Sequence, residues 1–103
     1  VLIAEATDSK CYDTVVISKA ADAMLAMSGI EASFVLAKNT QGFISISARS
    51  RSKLNVQRIM EELGGGGHFN LAAAQIKDLT LSEAGEKLTE IVLNEIKEKE
   101  KEE

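Results

Sequence analysis

The sequence predicts an α/β (α+β) fold in which a small mixed β-sheet is flanked by helices. Three observations predict it. Short apolar or β-branched runs alternate with longer stretches whose apolar residues recur at helical spacing. Two of the short runs, in "EASFVLAKNTQGFISISARS", flank the turn residues Asn39, Thr40, Gln41 and Gly42, as in a hairpin. Aromatics make up 4% of the 103 residues although 45% are hydrophobic, so one domain-sized core must be built from Ile, Leu, Val, Ala and Met.

The elements follow in order. "VLIAEA" reads as a short buried strand. In "DTVVISKAADAMLAMSG", Val16, Ala20, Ala23, Met24 and Met27 fall on one helix face, with Asp13 as the start cap and Gly29 at the end. In the second hairpin run Ile44, Ile46 and Ala48 point to the core. Ser45, Ser47 and Arg49 point the other way, to water or a ligand. Val56, Ile59, Met60 and Leu63 keep helical spacing behind the N-cap Asn55, and Gly64 stands where a helix-ending glycine belongs. "FNLAAAQI" fits a strand or a helix equally. The last helix carries the stripe Leu81, Ala84, Leu88, Ile91, Val92 and Ile96 behind a Thr80–Glu83 capping box. The domain spans residues 1–97, followed by a charged tail, 98–103, read as a solvated helix end.

A net charge of −4 argues against a broad nucleic-acid-binding surface, but leaves room for an anion held by local positive charge. The single Cys11 fits a reducing compartment, and no apolar run approaches membrane-spanning length. The chain opens inside an apolar run at Val1, as a piece of a longer protein would. One His and one Cys make no convincing metal site. There is no nucleophile-elbow serine, P-loop lysine or dinucleotide fingerprint.

The feature without a plain folding role is "LGGGGH". One glycine explains the end of a helix; Gly64, Gly65, Gly66 and Gly67 together suggest a loop whose backbone N–H groups converge on a phosphate. His68 can donate to a phosphoryl oxygen, and Arg49 offers a planar fork suited to phosphate. Ser47 shares the Arg49 strand face, Ser50 ends that strand and Asn55 opens the next helix. Each has a bland alternative: a flexible connector, a surface histidine, a solvated arginine, a plain cap. Arg51, Lys53 and Arg58 read as surface charges. The set describes a binding half-site with no catalytic residue of its own.

"SARSRSKLNVQRIMEELGGGGH" resembles the signature of the DHH-associated domain of DHH-family phosphoesterases. "AADAMLAMSGIEASFVL" and "LAAAQ" resemble the branch of GdpP-type cyclic-di-AMP phosphodiesterases. The resemblance implies the DHH-associated domain fold and the C-terminal half of a two-part enzyme. The other half, named for its Asp-His-His motif, holds two manganese ions. By the resemblance Arg49 and Ser50 match the "RS" that holds phosphate or nucleotide, Gly65, Gly66, Gly67 and His68 match a substrate-contacting loop, and Asn55 matches the asparagine of the helix start. Ser52 departs from the glycine usual there. Ala72, Ala73, Ala74 and Gln75 replace the "A-x-G" of oligoribonuclease relatives.

The implied function is the substrate-binding half of an enzyme that hydrolyses cyclic-di-AMP to pApA, with no cofactor in this chain. The implied partners are a cyclic or linear adenine dinucleotide, the Asp-His-His domain of the same polypeptide and a second copy in a homodimer. The implied place is the cytoplasmic side of a membrane-anchored parent, with no membrane contact by this chain. The alternatives are the same half of an oligoribonuclease or pAp phosphatase, and a non-catalytic nucleotide-sensing or dimerisation module.

Overall fold

Five strands join in one sheet in a computed structural model that describes residues 1–7 and 10–102. The chain runs β1 (Leu2–Glu5), α1 (Thr14–Leu25), β2 (Ala32–Lys38), β3 (Ile44–Ser50), α2 (Val56–Glu61), β4 (Gly66–His68), β5 (Leu71–Ile76) and α3 (Leu81–Glu102). The strand order is β1-β2-β3-β5-β4. β1 and β2 pair in parallel, with α1 as their crossover; the other neighbours are antiparallel. β1 is half-buried at one edge rather than fully buried.

β3 shows how a two-residue period divides the molecule. Ile44, Ile46 and Ala48 meet Phe34 and Leu36 of β2 in the main core, which α2 and α3 cover with Ile59, Met60, Leu88 and Val92. Ser45, Ser47 and Arg49 lie on the opposite face, buried beside α1 instead of opening fully to water. On that face a smaller cluster joins Ile17 and Ala21 of α1 to Val35 and Ala37.

α1 starts as expected: Asp13 Oδ1 accepts from Val15 N at 2.9 Å. Its inward ridge is different. Ile17 and Ala21 are buried, with Ala20 and Met24 half-buried, whereas Val16, Ala23 and Met27 are exposed. Both sets have helical spacing, so periodicity alone does not choose between two overlapping apolar stripes. Val35 and Ala37 select the Ile17 ridge. The helix stops at Leu25, before Gly29, whose φ of 81° serves a later turn. Arg51 reaches back from the end of β3 to donate to the carbonyls of Leu25 and Ile30.

The glycine run forms a helix stop and a strand where a loop was expected. Gly64, at φ 83°, donates to Glu61 O, and Gly65 donates to Met60 O at 2.8 Å, the paired bonds of a Schellman stop. Gly66–His68 then pairs with β5, which settles "FNLAAAQI" as turn and strand. Ala72 and Ala74 approach so closely that a Cβ on Gly65 would fall on the backbone of Ala73 and Ala74, and one on Gly67 would lie 2.6 Å from Ala72 Cα. Gly67 also has φ 143°.

α3 begins with the reciprocal Thr80–Glu83 capping box, at 2.9 and 3.1 Å. Leu81, Ala84, Leu88 and Val92 are buried, with Ile91 and Ile96 packed partly against them. The helix passes position 97 without a break. Among the described residues no helix is long and apolar enough to cross a membrane.

Two expectations test this architecture. Gly67→Ala should lower the unfolding free energy by about 1–3 kcal/mol, because it adds backbone strain to a close contact. Gly66→Ala, whose Cβ meets nothing within 4 Å, should stay within about 0.5 kcal/mol; urea titrations of both variants give the comparison. The second concerns Glu31, whose carboxylate accepts from Lys53 N at 2.9 Å and Ser52 N at 3.3 Å. The Lys53 N–H, foremost, holds its pKa below the ordinary value. Its contribution is therefore complete at neutral pH and fades as the pH falls through the depressed folded-state pKa. Glu31→Gln should cost less stability at about pH 3 than at about pH 7, and an equal cost at both would refute the linkage.

Candidate functional site

α1 is a cylinder of roughly 10 Å, and strands lie about 4.8 Å apart. It packs on β2 and β3 and leaves the same face of β5 and β4 uncovered. The register places three rows across this face: Ser45 beside Gln75; Ser47, Ala73 and Gly66; Arg49, Leu71 and His68. An open cleft of about 360 Å³ runs between α1 and β5, lined by Thr14, Ser18, Ser47, Gly65, Ala73 and Gln75 among others. Its far end is set by Asn39, whose Oδ1 accepts from Gln41 N and Phe43 N while its Nδ2 donates to Ser45 Oγ at 2.8 Å.

Arg49 is 7% exposed. Its Nε donates to Asp22 Oδ1 at 2.6 Å, Nη1 to Ala48 O at 2.9 Å and Nη2 to Ser18 Oγ at 3.2 Å. A guanidinium has five N–H groups. Three are used, so one on each terminal nitrogen is uncommitted among the described residues. The fork read from the sequence is thus already oriented by a carboxylate and a hydroxyl from α1. The Asp22 side chain is 62% exposed, so this is a pair at the cleft wall rather than a sealed ion pair. Ser18 and Asp22 were not singled out from the sequence. The available signal was two polar residues four apart, one turn of the helix, with Ser18 directly after the buried Ile17 and Asp22 directly after the buried Ala21.

Ser50 follows Arg49 and therefore points to the other face. Its hydroxyl donates to Leu54 O at 2.7 Å and accepts from Asn70 Nδ2 at 2.8 Å, tying the end of β3 to the approach to α2 and to the turn after His68. Asn55 caps α2, accepting from Arg58 N at 3.2 Å, on the helical layer away from the three rows. Gly64 and Gly65 border the cleft, but their N–H groups are spent on α2 carbonyls. Gly67 turns towards Ala72 and the core. Gly66 and His68 remain on the open face. The His68 imidazole is exposed and meets no hydrogen-bonding or ion-pairing partner among the described residues. The sites read from the sequence thus separate. Ser47, Arg49, Gly66 and His68 come together, Gly64 and Gly65 sit at the cleft rim, and Ser50, Asn55 and Gly67 belong to the scaffold behind it.

Among the described residues no three His, Cys, Asp or Glu side chains are grouped to hold a metal ion. Chemically, the open face offers a free imidazole and an apolar strip, and its border with α1 adds a buried, anchored cation and serine hydroxyls.

Known proteins resemble this chain. It is 47% identical over 92 residues to the cyclic-di-AMP phosphodiesterase GdpP of Geobacillus thermodenitrificans, covering 89% of this chain and 14% of that one. It is 49% identical over 86 residues to the cyclic-di-AMP phosphodiesterase PdeA of Listeria monocytogenes, covering 84% and 13%. It is 40% identical over 68 residues to the bifunctional oligoribonuclease and PAP phosphatase NrnA of Thermus thermophilus, covering 66% and 21%. The chain therefore spans about a seventh of the length of the first two relatives. A solved exopolyphosphatase-related protein from Bacteroides fragilis superposes with a TM-score of 0.58 at 28% identity, over 72% of this chain and 21% of that one. The DHHA1 domain family matches residues 1–100, and the chain belongs to it.

Proposed function

We propose that this chain is the nucleotide-binding part of a DHH-type phosphodiesterase that converts cyclic-di-AMP to linear pApA. One observation carries the reading. Arg49, buried beside α1 with two N–H groups unspent, and His68, with its imidazole free on the uncovered face, share a row of the sheet. They do so in a chain 47–49% identical to two cyclic-di-AMP phosphodiesterases. Asp22 and Ser18 hold the guanidinium so that its remaining donors meet a phosphoryl oxygen pair. His68 donates to a second phosphate oxygen from the sheet edge, and Ser47 lines the cleft between. The chain binds and orients; hydrolysis itself falls to the rest of the same polypeptide, which closes over this face from the cytoplasmic side of a membrane. The 40% identity to an oligoribonuclease and PAP phosphatase supports a second reading, in which the same face holds pAp or the end of a very short RNA.

The test is kinetic. In the intact polypeptide, His68→Ala should lower kcat/KM for cyclic-di-AMP roughly ten- to hundredfold, the worth of about 1.5–3 kcal/mol for a hydrogen bond to a charged group. The melting temperature should not move, because the imidazole has no partner within the described residues. Wild-type turnover in the variant would remove His68 from the site. A larger kcat/KM for pAp than for cyclic-di-AMP would favour the second reading.

A further inference from the structure

The open face has an apolar centre as well as polar ends. Leu71 stands between Arg49 and His68 in their row and is 52% exposed, although its strand is paired on both sides. Ala73 follows two residues along the same face, also exposed, and Gly66 lies beside Ala73. Gly66 differs from the three glycines around it. It has no positive φ, and a Cβ built on it meets nothing within 4 Å. The fold does not require a glycine there. A side chain at 66 would occupy the space beside Ala73 on the open face. Its absence leaves a flat strip about 7 Å long, the spacing of alternate strand residues, and about 5 Å across to the next strand. Those are the dimensions of a two-ring planar heterocycle. The strip carries no charge, while its flanks carry the anchored Arg49 and the free His68. Gln75, the next residue of that face along β5, holds an amide already oriented by Gln41 at 3.3 Å.

We propose that Leu71, Ala73 and Gly66 form the seat on which one purine base of a bound dinucleotide lies face-down, with its phosphate reaching Arg49 or His68 beside it. The seat rests on the nucleotide-binding reading above and assigns the base-selective contacts of that site. The apolar contact favours a purine because two rings cover both Leu71 and Ala73, and a single pyrimidine ring covers one.

Methyl and amide NMR of the 103-residue chain tests the seat with separate probes. Adenosine, which has no phosphate, should shift the Leu71 and Ala73 methyls and the Gly66 amide. Ribose 5-phosphate, which has no base, should leave the Leu71 methyls in place. The linear dinucleotide pApA should bind about tenfold more tightly than pUpU. Leu71→Ser and Gly66→Val should each weaken pApA about tenfold, and Leu71→Ser should leave the weaker response to ribose 5-phosphate unchanged. Wild-type pApA affinity in both variants, with pApA still bound, would overturn the seat and leave the nucleotide-binding reading standing. No response of the wild-type chain to pApA would overturn both. Should either variant fail to fold, adenosine shifts confined to residues away from Leu71, Ala73 and Gly66 in the wild-type chain would overturn the seat alone.

Discussion

Two helices lie against one face of this sheet and a single twelve-residue helix against the other. The asymmetry governs everything on the second face. A helix wide enough for two strands cannot seal five, so β5 and β4 stay open and the border between covered and open sheet becomes a wall. Polar groups gather along that wall because each one there finds a partner. Asn39 holds Ser45, and Arg49 is held by Asp22 and Ser18; deeper under the helix, on β2, Ser33 Oγ donates to Ala21 O at 2.8 Å. Among the described residues no buried side-chain nitrogen or oxygen lacks a partner. The polar layer is thus ordered by its own contacts, each of its buried atoms holding at least one partner.

Most of the architecture was legible because it is local. The alternation in β3, the Asn39–Gly42 turn, the caps Asp13 and Asn55 and the Thr80–Glu83 box each announce themselves within a few residues. What escaped is what local pattern does not contain. The residues 64–67 have no side chains, so they carry no periodicity, and their pairing with β5 is a tertiary fact. α1 offers two apolar stripes at equally good spacing, and only contact with Val35 and Ala37 distinguishes them. Of the site, the residue types around Arg49 and His68 were readable. Their division between ligand face and scaffold was not, because Asp22 and Leu71 reach Arg49 from distant parts of the chain.

Arg49 and Ser50 illustrate the division. They are neighbours in sequence and match one short motif, yet the strand period sends them to opposite faces. Arg49 lies on the α1 side, held by Asp22 and Ser18. Ser50 joins Leu54 and Asn70 and so holds the turn that carries His68 in place. A serine on the opposite face can thus be as necessary to the shape of this one as the arginine beside it. Its loss would act through the position of β4 rather than through a missing contact.

β4 itself has a thermodynamic consequence. Ordering a residue's backbone costs about 1–2 kcal/mol, and glycine stands at the high end. The strand spans three residues, has one neighbour, and gains almost no side-chain burial in return. It is therefore the segment of the sheet with the smallest opening free energy, the place where amide protons exchange through local fluctuation while β2 and β3 stay closed. His68 is mounted on that seam. A ligand held by His68, as proposed above, would close the seam as well, and the exchange rates of the Gly66, Gly67 and His68 amides would report it.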